Sequence, residues 1–242
     1  MKLSLALIAT IVYLIAKPSD KPAAKPTEAN SLIRQFEKTY RSSRNLRANF
    51  LETYFDNGKE VRSEAGIAYF SKPGRMRWEY ASPEANLYII DGKWSWFYVP
   101  ADHAVTRIRA NQSSDARSPL ALLAGEMKVS RICKKVDVDH TSGPVDPHGI
   151  VLRCILHGEE EIPSRPAAEA ITPSFHGPYA LFELNADNGQ LLRILVVDSG
   201  GMQVEFRFSN WIFDPAVAES QFHFIAPPGV AIVDGDLSVP ST

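Results

Sequence analysis

The sequence predicts a mainly β chain with few helices, folded as an antiparallel meander. Three observations predict this. About ten short segments alternate apolar and polar residues with period two. Hairpin signals rich in Gly, Pro, Asp and Asn separate most of them. Strands do not alternate with long helical segments, so a parallel βαβ arrangement is excluded.

The elements follow in order. Residues 1–16 hold one charge, Lys2, before the apolar run Leu3 to Ala16. A positive start and a short apolar core read as a secretory signal, because spanning a bilayer takes ~20 residues. Ala16 suits the position before a cut, whereas Leu14 is bulky where a small residue is preferred, so an uncleaved anchor is the alternative. Residues 17–29 form a Pro/Lys-rich linker. One helix then follows, capped by Asn30 or Ser31, with Leu32, Ile33, Phe36 and Tyr40 on one face.

From Leu46 the texture is β. Asp56-Asn57-Gly58, Pro73-Gly74 and Asp91-Gly92 are turn signals between strands. Further strands are expected at 103–109, 129–138, 149–157, 179–185, 191–198 and 202–211, and a last one at 222–225. Ser118 to Gly125 reads as a short apolar helix with Pro119 near its start. Residues 158–177 form a long loop with three prolines and Glu159 to Glu161. A short helical turn is expected at Asp214-Pro215. The domain proper is placed at 30–240.

The 242 residues carry a formal charge of -2 without a Lys/Arg cluster, which argues against a nucleic-acid partner. Catalysis lacks its parts. Asp198-Ser199-Gly200-Gly201 is a hairpin loop between apolar strands, and no Gly-x-Ser-x-Gly elbow exists. The six histidines are scattered, and no metal-ligand spacing involves them or the two cysteines. Neither a phosphate cradle nor a dinucleotide fingerprint is present, so no cofactor is expected. Cys133 and Cys154 lie on two strands flanking a turn. In an exported protein they form a cross-strand disulfide or act as two small buried hydrophobes.

One block stands out. Trp78, Tyr80, Tyr88, Trp94, Trp96, Phe97 and Tyr98 crowd three adjacent strands. An ordinary core explains such loading on pattern alone. Yet one long helix and one short one are little cover for an apolar sheet face, and an under-covered face points to a ligand or partner.

Ser71-Lys72-Pro73-Gly74-Arg75-Met76-Arg77-Trp78-Glu79-Tyr80, Asp91-Gly92-Lys93-Trp94-Ser95-Trp96-Phe97-Tyr98, Ser118-Pro119-Leu120-Ala121-Leu122-Leu123 and Phe222-His223-Phe224 with Pro227-Pro228-Gly229-Val230 occur in this order. The set resembles the periplasmic outer-membrane lipoprotein carrier (LolA-like) family. The resemblance implies an incomplete, unclosed antiparallel β-barrel of about eleven strands, with helices over its concave face. It also implies a monomeric, non-enzymatic periplasmic carrier that takes acylated lipoproteins from an inner-membrane ABC-type release complex to an outer-membrane acceptor. In the family an Arg tethers the lid helix at the position of Lys72, so Lys72 is the expected latch. Lys cannot make the forked bonds of Arg.

The expected lipid-facing set is Ile33, Phe36, Met76, Trp78, Leu87, Ile89, Trp94, Trp96, Leu120, Leu122 and Leu123. A one-residue register change would exchange its strand members. A different class stays open: a periplasmic module that senses lipids or lipoproteins or binds glycolipids.

Overall fold

A computed structural model describes residues 28–110, 118–125, 128–157, 179–198 and 200–235. The expected signal segment 1–16, the linker up to residue 27 and the 158–177 loop lie outside them.

Helix α1 (Glu28–Arg41) starts earlier than the expected cap at Asn30 or Ser31. Ala29, Leu32, Phe36 and Tyr40 recur every three or four residues and are its buried stripe. Glu28 in its first turn and Lys38 and Arg41 in its last suit the helix dipole. Strands β1 (Asn45–Asp56), β2 (Lys59–Ser71), β3 (Arg75–Ser82), β4 (Leu87–Ile90), β5 (Trp94–Val99) and β6 (Ala104–Arg109) follow as a meander. The β1–β2 connection is the two-residue Asn57-Gly58, with φ of 49° and 75°, which matches the twist of a tight hairpin. A 3-10 turn (Ser118–Leu120) leads into the short helix α2 (Ala121–Ala124). Then come β7 (Cys133–Val138), β8 (Gly149–Leu156), β9 (Tyr179–Asn185), β10 (Leu191–Val197), β11 (Gln203–Phe213) and β12 (Ala231–Asp234).

All twelve strands join one sheet in the order β12-β6-β5-β4-β3-β2-β1-β11-β10-β9-β8-β7. Its ends, β12 and β7, do not pair, so the sheet is not closed into a barrel. The two meanders meet where β1 pairs with β11. Every pairing is antiparallel except β12, which runs parallel to β6.

Three expectations are corrected. The last strand is 231–234, not 222–225, because Glu219–Phe222 forms a 3-10 turn that buries Phe222. Asp214 has φ of 50° and starts no helical turn; its Oδ1 instead accepts the Arg44 N–H. Residues 129–131 are a 3-10 turn rather than strand.

The register defines two faces. On the helix-bearing face Phe50 opposes Phe208, Phe70 opposes Met76, and Trp78 lies between Ala68 and Tyr88. The face continues through Phe206, Ile194, Phe182 and Leu152. Trp78 is fully buried at its centre, with ring contacts to Phe50 (4.7 Å), Phe206 (5.5 Å) and Phe70 (5.7 Å). Each such side chain contributes about 1.5–3 kcal/mol of burial.

Over β9–β11 the opposite face is polar and charged. Arg193 sits between Glu183 (2.9 Å) and Glu205 (3.2 Å), and Glu183 also accepts the backbone N–H groups of Val145 and Asp146. Charges this deep are tolerated because they are paired and hydrogen-bonded. Over β3–β6 the cover is the chain after β11. Phe222 is buried there, Phe224 stacks on Trp96 (5.4 Å), and Asp234 takes a two-pronged bond from Arg107 (2.7 and 3.0 Å).

Candidate functional site

The candidate site is the apolar layer between the helices and the sheet. Ile33 and Phe36 of α1 face Val129, Val136, Leu152, Phe182 and Leu184 across a cavity of about 10 Å³. That is room for about one water, and its lining is apolar. Leu120, Leu122, Leu123 and Ala124 are buried alongside, with α2 packed on β2 and β3.

Several polar bonds fasten α1. The Lys72 ammonium donates to the carbonyls of Tyr40 (2.7 Å), Arg41 (3.0 Å) and Ser43 (2.7 Å). Those of Tyr40 and Arg41 are oxygens that the end of a helix leaves without helical partners, and a cation suits the negative end of the dipole. Burial lowers the Lys72 pKa, partly opposed by the charge of Asp214. The Tyr40 hydroxyl accepts the Leu191 N–H at 2.9 Å, and burial pushes its pKa far above the usual phenol range. Gln35 and Thr39 donate to the carbonyls of Asp187 and Asn188, both at 2.9 Å. The Glu37 carboxylate accepts the Val129 N–H at 2.8 Å. Helix α2 is held differently. Gly74, at φ of 66°, turns its N–H onto the carbonyl of Ala124 at 2.7 Å.

Lys72 therefore stands at a tether, but of α1 and not of the 118–124 helix that the resemblance names. The reason is reach. Lys72 follows β2, which ends beside the chain leaving α1, where its backbone N–H also bonds the carbonyl of Arg44.

The expected lipid-facing set divides. Ile33, Phe36, Met76, Trp78, Leu120, Leu122 and Leu123 lie in or against the helix-bearing layer. Leu87, Ile89, Trp94 and Trp96 do not. Trp78 opposes Tyr88, and Tyr88 opposes Phe97, so Tyr88 and Phe97 share the inner face. Ile89 pairs with Arg77 and Trp96, and Trp94 pairs with Arg109, on the outer face. Alternation holds within each strand, and Ile89 and Trp96 share a face as expected; the phase between β3 and β4 is what differs, since Trp78 meets Tyr88. Phe50, Phe70 and Phe206, which enclose Trp78, were not among the expected residues. A usable signal was present: Asp91 accepts the N–H groups of Lys93 and Trp94 and the Trp96 indole, which pins that ring outside with its turn.

Cys133 and Cys154 form a disulfide with Cα atoms 5.3 Å apart. Both are buried in the helix-bearing layer, where Cys133 closes the segment that presents Val129 to α1. Among the described residues no group of three or more His, Cys, Asp or Glu could hold a metal ion.

Residues 41–144 match the family described as outer membrane lipoprotein carrier protein LolA. Over this stretch the chain is similar to that family. Proteins named outer-membrane lipoprotein carrier protein are similar over most of its length. That of Chromobacterium violaceum is 29% identical over 88% of this chain and 92% of its own. That of Nitrosomonas europaea is 27% identical over 84% and 89%. Among solved structures, a LolA superfamily protein from Nitrosomonas europaea superposes with a TM-score of 0.40 at 8% identity, covering 81% of this chain and 97% of its own. An uncharacterized conserved protein from Thermus thermophilus gives 0.49 at 12%, covering 85% and 98%. The LolA match runs from the last residue of α1 into the loop after β7, so it includes Lys72, the Trp78 strand, α2 and Cys133 and leaves Cys154 outside.

Proposed function

We propose that the chain is a periplasmic carrier that holds the acyl chains of lipoproteins between its helices and the inner face of its sheet. One observation carries the reading: a continuous apolar layer, centred on Trp78 and roofed by Phe36 and the Leu120–Leu123 segment. The relatives named as outer-membrane lipoprotein carriers support it. The Cys133–Cys154 disulfide supports an exported location, since such bonds persist in oxidising compartments.

The energetics set the cycle. Each methylene hidden from water is worth ~0.8 kcal/mol, so a bare acyl chain costs on the order of 10 kcal/mol to carry through water. Relative to a bilayer, an apolar interior gains almost nothing. Loading therefore needs outside work, which an inner-membrane ABC-type release complex would supply. Pockets for ligands of this size run to ~300 Å³ or more, so α1, α2 or both must leave the sheet on loading. Their return covers Trp78 and its neighbours again, which offsets the lost acyl contacts and favours delivery to an outer-membrane acceptor. Binding and release, without bond-making, make up the whole activity.

The test is direct. Spheroplasts displaying labelled lipoproteins are incubated with the purified mature protein. A soluble one-to-one complex is the expected result. If no lipoprotein leaves the membrane, the carrier reading is lost.

A further inference from the structure

The outer face of β4–β6 has no task in that cycle, yet its surface is unusual. Trp94, Trp96 and Tyr98 stand side by side there, half-buried. Cations lie over them: Arg107 is 4.5 Å from the Trp94 ring, Arg109 is 4.7 Å and Lys93 is 5.9 Å. Beyond them the chain after β11 brings Phe224 onto Trp96 and Tyr98, and the next residue, Ile225, is 84% exposed. Ile232 and Val233 of β12 are 49% and 50% exposed beside β6. Among the described residues, exposed Ile225 and Ile232 thus lie at the border of one aromatic and basic patch.

The local charges leave the cations facing outward. The Asp91 carboxylate is taken up by two turn N–H groups and the Trp96 indole, and that of Asp234 by the fork of Arg107. Among the described residues, neither Lys93 nor Arg109 has a carboxylate within ion-pair distance.

We infer that this face docks the protein on an anionic membrane surface. Half-exposed indole and phenol rings suit the headgroup level of a bilayer. A projecting Ile with no pocket of its own suits shallow insertion among lipids. Outward cations suit acidic headgroups. An acidic protein segment would satisfy Lys93 and Arg109 but leaves Ile225 without purpose. The face lies opposite the apolar layer, so docking here leaves α1 and α2 uncovered by the bilayer. The inference is independent of the carrier reading.

The experiment is co-sedimentation of the mature protein with vesicles of phosphatidylcholine, either alone or with about one-third phosphatidylglycerol, at low salt. Several-fold more protein is expected on the anionic vesicles, falling as salt rises. Lys93→Glu with Arg109→Glu is expected to bring binding down to the phosphatidylcholine level, at about fivefold or more for each cation removed. Ile225→Asp is expected to lower binding to both vesicle types. All three side chains are exposed or at the rim, so the melting temperature, measured in parallel, should stay put. Equal binding to the two lipids, or anionic binding unchanged in the double variant, overturns the inference. So does capture by a glutamate-rich peptide when vesicles capture nothing, an outcome that assigns the patch to a protein partner.

Discussion

The ammonium of Lys72 lies 2.7 Å from the carbonyl oxygen of Tyr40, 32 residues earlier in the chain. It thereby ties the end of α1 to the end of β2. Lys72→Met removes three hydrogen bonds and leaves the helix end unmet, at a cost of about 1–3 kcal/mol. Amide exchange should speed up in α1 before it does in the sheet. Lys72→Arg should alter lipoprotein loading and release; if neither changes, the tether has no part in the cycle.

The separation of Trp78 from Trp94 and Trp96 onto opposite faces is open to an optical test. Brominated acyl chains bound in the apolar layer should quench Trp78. Trp94→Phe with Trp96→Phe should leave most of that quenching in place, and Trp78→Phe with Trp211→Phe, the two indoles packed in the layer, should abolish it. Quenching that follows Trp94 and Trp96 instead would move the acyl site to the outer face.

The sequence made the sheet legible, and the reason is local. Period-two alternation and turns such as Asn57-Gly58 are written within a few residues. The phase between strands is not. Tyr88 and Ile89 are neighbours in one strand, and which of them shares a face with Trp78 depends on how the chain between β3 and β4 closes. The tail was harder still. Phe222 to Phe224 reads as a strand because its apolar residues alternate, but they fill a surface made by residues more than a hundred positions earlier. The role of Lys72 was half legible: a basic residue at a tether could be expected, but its partner helix could not.

The disulfide links positions 21 apart in the chain. Cys133→Ser with Cys154→Ser should lower stability by about 3 kcal/mol, mostly through a less constrained unfolded chain. Urea unfolding with and without reductant measures it. Wild type plus reductant should match the double variant.

Asp139 gives a pH signature. Its side chain is buried, which pushes its pKa up, but the Thr141 hydroxyl, the Ser142 and Thr141 N–H groups and Arg153 more than offset this and bring it to about 2. The folded value lies below the unfolded one, so the group stabilises the protein above about pH 4 and loses that contribution as pH falls toward 2. Allowing for screening, the effect is about 1–2 kcal/mol. Asp139→Asn should lower stability at neutral pH and flatten the acid limb of an unfolding curve between these values.

Gly66→Ala should break the β2–β3 pairing. A Cβ at this position would run into the backbone carbonyl of Glu79, which no side-chain movement relieves. Gly66 opposes Tyr80 beside a register shift. Loss of soluble protein, or a melting temperature lowered by about ten degrees or more, is on the order expected for a substitution that forces the backbone apart.

The chain after β11 crosses back over strands made far earlier, and Arg107 waits 127 residues for Asp234. Strands β3–β6 can pair with one another as soon as they emerge, but the outer side of Ile89 and Trp96 stays wet until Phe222 and Phe224 arrive. Completion of this surface is thus a late folding event that depends on nearly the whole polypeptide. Until then an incomplete chain would present a half-finished sheet with bare apolar surface, the sort of intermediate that holdase chaperones recognise. Closure of this surface waits on the segment after β11.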